Sequence, residues 1–334
     1  MVKGLQRVPL FGIVMVALAC DNVEWGGIDV GLRAPAESTI LETSTGTVDT
    51  TMAAVDDATL VPALYMGRRV GSEAWLIPIA ALDADGLGPL PEQVEGARTF
   101  AERHFEAGST FTLFAEGVRV GTLTAASYGS DTSYCGARPQ VRGPIELTPS
   151  AAASTSFLAV PSDIATSVAH DAYAPTTQTR DLRIVSLSMM RGLLPTLGSP
   201  WPESTLDIRQ DIQVFMGRGD LAPTVVATFV YGDSLRVGPA GTNAYSVFLM
   251  ASDSDGNGYQ TTYVDHRVWN RHGKGAARFF GRIDVDQDGT SEVVVEVLGE
   301  SSAWIAALQK RDGVWTEAYR DPCGLPAPAV TGTP

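Results

Sequence analysis

Residues 280–298 read FGRIDVDQDGTSEVVVEVL, and their reading decides the fold. Asp284, Asp286 and Asp288 alternate, and Gly289 permits a tight turn with positive φ. The carbonyl of Thr290 and the carboxylate of Glu292 can close a shell of hard oxygens, and calcium takes six to eight of these at about 2.3–2.6 Å. Four acids so close in sequence repel one another unless a cation lies among them. An EF-hand loop would place a Glu at its twelfth position, where this chain has Val295, and a helix would follow. Here the run Glu292 to Val297 has strand composition. The stretch is therefore a β-loop joining two strands, and the domain around it is β-rich.

The surrounding sequence agrees. Beyond Thr205, apolar runs recur at 206–215, 223–231, 244–251, 259–269, 277–283, 292–298, 303–309 and 314–319. Asp255-Gly256 and Asp312-Gly313 mark turns between them. Closely spaced runs without helical crossovers predict an antiparallel sheet and disfavour a parallel nucleotide-binding one. Leu182 to Leu193 predicts a helix. Residues 151–178, rich in Ala, Ser, Thr and Pro, predict a connector with a short helix near 164–169. Further upstream, 59–150 predicts a small α+β unit. Its parts are a strand around 74–79, a helix over 90–106, and a hairpin with Ala115-Glu116-Gly117 at its tip. The expected fold class is α+β: this small domain, then a mainly antiparallel β domain over 179–323 with a calcium-type loop, and a tail at 324–334.

The N-terminus carries an address. Lys3 and Arg7 precede an apolar run from Leu10 to Ala19, too short to span a bilayer, which predicts a signal peptide over 1–19. Val16-Ala17-Leu18-Ala19-Cys20 resembles a bacterial lipobox, which implies that Cys20 is lipidated and becomes the mature N-terminus. Alternatives are an ordinary signal peptide cut near Ala19 and an uncleaved anchor. Each buried acyl methylene contributes roughly 0.8 kcal/mol, so several chains hold a protein stably on a membrane. Residues 20–58, poor in large apolar side chains over 37–51, predict a flexible tether. With Cys20 lipidated, Cys135 and Cys323 remain. In an oxidising compartment they read as one disulfide, with two separate buried thiols as the alternative.

Composition narrows the function. The chain has 334 residues, with 24 Lys and Arg against 38 Asp and Glu, a net charge of −14. That balance repels phosphate and disfavours nucleic acid as a partner. It also rules out anchoring by a polybasic patch. With 4 His and 3 Cys, a multi-metal enzyme or a disulfide-dense scaffold is not expected.

The loop at 284–292 is similar to those of FG-GAP and VCBS-like repeats, which run D-x-D-x-D-G-x-x-[DE] into an apolar strand; Phe280-Gly281 precedes it here. The resemblance implies a calcium ion on Asp284, Asp286, Asp288, Thr290 and Glu292, in a family that builds β-propellers and bacterial surface proteins. It covers about 25 residues and says little about a propeller. A degenerate cousin lies at 216–226: aligned on Pro223 and the two valines after Thr224, Asp220 alone keeps an acid, while Met216, Arg218 and Thr224 replace the others. The tryptophan-bearing C-terminal strands also resemble a class of bacterial lipoproteins, which implies no activity.

Weaker signals have bland readings. Asp253, Asp255 and Asn257 before Gly258 suit a hairpin tip. Arg218-Gly219-Asp220 is a chance triplet, His170-Asp171 lacks a Gly-x-Ser-x-Gly partner, His266 and His272 suit an exposed basic loop, and His104 suits helix packing. The expected function is that of a non-catalytic, envelope-anchored lipoprotein. It would be monomeric and extracytoplasmic, with a structural Ca2+ site, and would bind a protein or glycan. The alternative is a secreted hydrolase stabilised by calcium, with two carboxylates converging in a pocket away from the loop.

Overall fold

The computed structural model describes residues 62–83, 86–90, 97–165, 173–217, 220–285, 289–311 and 314–325. The signal peptide, Cys20, the tether, His170-Asp171, Arg218-Gly219, Asp286, Asp288, Asp312-Gly313 and most of the tail lie outside these residues. What is described is mainly antiparallel β sheet with few helices.

The first eight strands are β1 (Ala63–Val70), β2 (Glu73–Asp83), β3 (Gly86–Gly88), β4 (Thr110–Ala115), β5 (Val118–Thr124), β6 (Ser127–Asp131), β7 (Arg138–Leu147) and β8 (Ser156–Pro161). They form one sheet in the order β3-β2-β1-β8-β4-β5-β7-β6, and β2 also pairs with β7 through Glu73–Leu76 against Val141–Pro144. That pairing closes six of the strands into a barrel. A barrel this narrow is filled by its own side chains. Tyr65, Leu76, Phe111, Leu113, Val120, Leu123, Val141 and Phe157 form its interior. Helix α1 (Ala97–His104) adds Phe100 and Ala101, and Phe105 follows. Rings of Tyr65 and Phe111 meet edge-on at 5.1 Å, a favourable quadrupolar arrangement.

Closure demands glycine where strands crowd. A Cβ on Gly143 of β7 would lie 1.8 Å from the Thr124 carbonyl oxygen, and one on Gly121 of β5 would lie 2.0 Å from that of Glu146. The structure thus differs from the expected small α+β unit in two ways. The helix is a short contributor to a barrel interior, and β8, from the stretch assigned to a connector, is a barrel strand between β1 and β4.

The rest is two four-stranded meanders. β9 (Ile208–Phe215), β10 (Thr224–Tyr231), β11 (Tyr245–Ser252) and β12 (Gln260–Val268) form one. After the short α3 (Trp269–His272), β13 (Ala276–Ile283), β14 (Glu292–Leu298), β15 (Ala303–Arg311) and β16 (Val314–Arg320) form the other. These bounds follow the expected apolar runs closely. The layers explain the composition of β14. Val293, Val295 and Val297 pack against Val226, Phe248 and Met250 of the first meander. Val294 and Leu298 pack toward Leu64, Ile77 and Leu158 on the barrel's outer wall. A strand buried on both faces loses polar alternation. Helix α2 (Arg180–Thr196) covers the far face of the first meander with Met190 and Leu194 against Val225, Phe229 and Val247. Thr179 caps α2 by accepting from the Leu182 N–H at 3.3 Å.

Candidate functional site

The acidic loop joins β13 to β14. Its ends are tied by the first and last acids of the motif. Asp284 Oδ2 accepts from the Gly289 N–H at 3.1 Å, and Glu292 Oε2 accepts from the Val285 N–H at 3.0 Å. Gly289 has φ +91°, which only glycine adopts freely. Glu292 is 2% exposed. So the structure brings Asp284 and Glu292 to the mouth of one tight loop, with Thr290 half-buried between them in sequence. Asp286 and Asp288 fall outside the described residues. The described donors are hard carboxylate oxygens, which fit Ca2+ and not a soft-ligand metal.

The same connection exists in the first meander. Loops 216–223 and 284–291 have equal length and each joins the first strand of its meander to the second. This register places Met216 at the position of Asp284 and Thr224 at that of Glu292, the alignment read from Pro223. In the acid-poor loop Asp220 Oδ2 accepts from the Gly217 N–H at 2.7 Å. Thr224 Oγ1 bonds Ser252 Oγ at 3.0 Å.

Arg282 joins the two loops. Its Nη1 donates to Ser291 Oγ at 3.0 Å and its Nη2 to the Met216 carbonyl at 2.8 Å, and its guanidinium lies 5.1 Å over the Phe215 ring. Glu116, at the tip of the β4–β5 hairpin with φ +49°, faces it and accepts from the Thr176 N–H at 3.1 Å. Burial lowers the Arg282 pKa and raises that of Glu116, each partly countered by the other's charge. The acidic loop therefore sits where barrel and both meanders meet.

A second feature escapes sequence reasoning. A cleft opens between the edge strands β12 and β16, with Tyr263, Asp265, Arg267, Glu317 and Arg320 around an apolar floor that includes Phe248, Val295 and Trp304. Its interior has room on the order of one water molecule. Arg267 Nε lies 3.4 Å from Asp265 Oδ2, and Arg320 pairs with Glu317 at the rim. Burial pushes the Asp265 carboxyl above its usual range, with Arg267 opposing.

The other candidates resolve as packing. The Asp253–Gly258 segment is a self-bonded hairpin tip: Asp253 Oδ1 accepts from the Gly258 N–H and Asp255 from both nitrogens of Asn257. His104 stacks on Phe100 at 4.1 Å, and His272 Nδ1 accepts from the Val268 N–H. His266 Nε2 contacts Ser199 Oγ at 3.0 Å, a contact that sequence spacing does not reveal. Burial first, then His272 and Arg271, lower the His266 pKa to about 4. Among the described residues no carboxylate bonds His266, and Ser199 is 5% exposed, so the pair lacks the orienting acid and the access a nucleophile needs.

Cys135 and Cys323 pair as a disulfide with Cα atoms 6.1 Å apart, pinning the β6–β7 loop to the segment after β16. Beside it Arg138 Nη2 meets Asp321 Oδ2 at 2.6 Å in a fully buried ion pair. No helix among the described residues is long and apolar enough to cross a membrane. No family model matches the chain, and neither does any curated protein or solved structure.

Proposed function

We propose that the protein is an exported, envelope-anchored lipoprotein. Acyl chains on Cys20 hold it to the membrane, and its body serves to bind a protein or a glycan rather than to catalyse. A Ca2+ ion on Asp284, Asp286, Asp288, Thr290 and Glu292 staples that body. The observation that carries the reading is the pair of hydrogen bonds by which Asp284 and Glu292 hold the two ends of the acidic motif. The Cys135–Cys323 disulfide supports an oxidising, extracytoplasmic setting.

The test is thermal unfolding of the mature chain in EGTA and in rising calcium. For a dissociation constant of roughly 10⁻⁴–10⁻³ M, 10 mM calcium adds about 1.4–2.7 kcal/mol, a rise of several degrees. Asp286→Ala with Asp288→Ala should remove the rise; these two are the right pair because Asp284 and Glu292 also hold backbone N–H groups. Cys20→Ser should move the protein from the membrane fraction to the soluble one. No calcium shift in the wild type, or a Cys20→Ser protein still on membranes, refutes the respective half.

The hydrolase alternative gains one observation: Asp265 and Glu317 line a single cleft away from the acidic loop. Glycoside hydrolysis, however, needs a sugar ring seated between two carboxylates several ångströms apart. A cleft with room for one water does not seat it, so the binding reading is preferred.

A further inference from the structure

Helix α2 lies across the far face of the first meander, with Met190 and Leu194 turned into the core. The helical repeat decides what its outer side presents. Arg180, Ile184, Ser188 and Arg191 fall within one quadrant, away from the buried Ser186 and Met190, and all four are exposed. Arg183, exposed as well, adds a third guanidinium beside them. From Arg180 to Arg191 this ridge runs about 16 Å. None of the three arginines pairs with a carboxylate among the described residues. The one acid of the helix, Asp181, sits in its first turn, where the positive end of the helix dipole favours it. Ile184, 52% exposed, stands among the guanidinium groups. Arginine stems are apolar, so they and Ile184 can enter a headgroup layer together.

Charge complementarity names the occupant. The chain as a whole, at −14, is repelled by an anionic surface, whereas this ridge is attracted. At 0.1 M salt the Debye length is about 10 Å, so acids on the far side of the body count for little once the ridge is in contact. Guanidinium groups also match phosphate oxygens bidentately. The chain before β1 permits the contact. The barrel and α2 lie on opposite sides of the two meanders, about 40 Å apart at roughly 10 Å per layer. Residues 20–61 reach at most about 140 Å, so a lipid on Cys20 and the ridge of α2 can share one membrane. Three arginines are too few to anchor a protein, but they bias the orientation of one already held.

We propose that α2 is the membrane-facing ridge of the body: Arg180, Arg183 and Arg191 bind phosphates of anionic lipid headgroups, and Ile184 enters the layer between them. The barrel is thereby held outward. This rests on the lipid-anchor reading above and adds the orientation of the body.

The experiment uses the mature, lipidated chain in vesicles of phosphatidylcholine, alone or with about 30% phosphatidylglycerol. An environment-sensitive dye is attached at Ser188→Cys on the ridge, or at Ser127→Cys, exposed on β6 of the barrel. Cys135 and Cys323 are paired and take no dye. In phosphatidylglycerol vesicles the Ser188 dye should shift to the blue and its quenching by acrylamide fall at least about threefold, with the Ser127 dye unchanged. Salt at about 0.5 M, where the Debye length is under about 5 Å, should restore quenching. Arg180→Gln with Arg191→Gln should restore it too, without shifting the melting temperature, because both side chains are exposed. The Cys20→Ser chain tests the ridge without the anchor. Each arginine near an anionic surface is worth about fivefold in partitioning, so this chain should bind the phosphatidylglycerol vesicles at least tenfold more than phosphatidylcholine ones. Equal quenching at Ser188 in both vesicle types, with the chain anchored, overturns this inference alone. Weak quenching at Ser188 in the Cys20→Ser chain without vesicles overturns it as well, since the chain itself or a second copy then covers α2. A wild-type chain that carries no lipid, with the Cys20→Ser chain still binding phosphatidylglycerol, refutes the anchor and supports the ridge.

Discussion

Asp321 offers the sharpest quantitative test of how the layers are joined. Its side chain is 0% exposed. It accepts from Arg138 Nη2 at 2.6 Å, the Ile305 N–H at 2.7 Å and the Tyr319 hydroxyl at 3.0 Å. Arg138, 5% exposed and on barrel strand β7, also donates to the Pro78 carbonyl of β2 at 2.8 Å. One ion pair thus ties two barrel strands to β15 and the end of β16. Asp321→Asn keeps the shape and removes the charge. The buried Arg138 guanidinium then loses its carboxylate partner, which costs about 3–5 kcal/mol. Against a usual total of 5–15 kcal/mol that is a large fraction. With a urea slope of about 3 kcal/mol/M, the midpoint should fall by about 1–1.7 M. The assay is urea unfolding followed by tryptophan fluorescence and far-UV circular dichroism, whose transitions should coincide. Arg138→Met combined with Asp321→Asn should cost less than the two single changes summed, because the stranded charge is gone. A loss under about 1 kcal/mol for Asp321→Asn, with no coupling to Arg138, would refute the reasoning.

Two more predictions concern a buried histidine and the barrel's glycines. His266 has a folded pKa of about 4 against an ordinary 6.5, so the unfolded chain binds the extra proton first; stability should fall as pH drops from 6.5 toward 4. His266→Gln should flatten the melting temperature over that window relative to wild type, and identical pH profiles would contradict it. Gly143→Ala should cost more than about 3 kcal/mol, since its Cβ meets a strand carbonyl that cannot withdraw. Gly192→Ala, in α2 with open space around it, should stabilise by about 0.5–1 kcal/mol; chemical denaturation of both reads the opposite signs.

What the sequence revealed was local. The strands of both meanders show as apolar runs bounded by turn residues, and β14 shows most clearly because both its faces are buried. The equivalence of loops 216–223 and 284–291 was readable from Pro223 and the valines. The barrel was not. Its closure rests on pairing of Glu73–Leu76 with Val141–Pro144, far apart in sequence and without a local signature. β8 was hidden because Phe157 to Val160 is a short apolar run inside an Ala, Ser and Thr-rich stretch. The cleft was hidden for another reason. Tyr263, Asp265 and Arg267 alternate like the solvent face of a strand, yet here that face turns inward onto the second meander.

The two meander loops then pose a physical contrast. In the first, Asp220 is satisfied by the Gly217 N–H, and the Arg282 guanidinium reaches the Met216 carbonyl from outside. That loop is closed by groups the chain itself supplies. The second loop concentrates Asp284, Asp286, Asp288 and Glu292 within nine residues, and its described acids spend oxygens on backbone N–H groups of the same turn. Hydrogen bonds of that kind fix the turn. Arg282 donates to the Ser291 hydroxyl of this loop. The calcium proposed above is therefore to be tested at the second loop, where the acids are concentrated. An ion there would act on the barrel hairpin as well, because Glu116 and Ser291 face the same guanidinium.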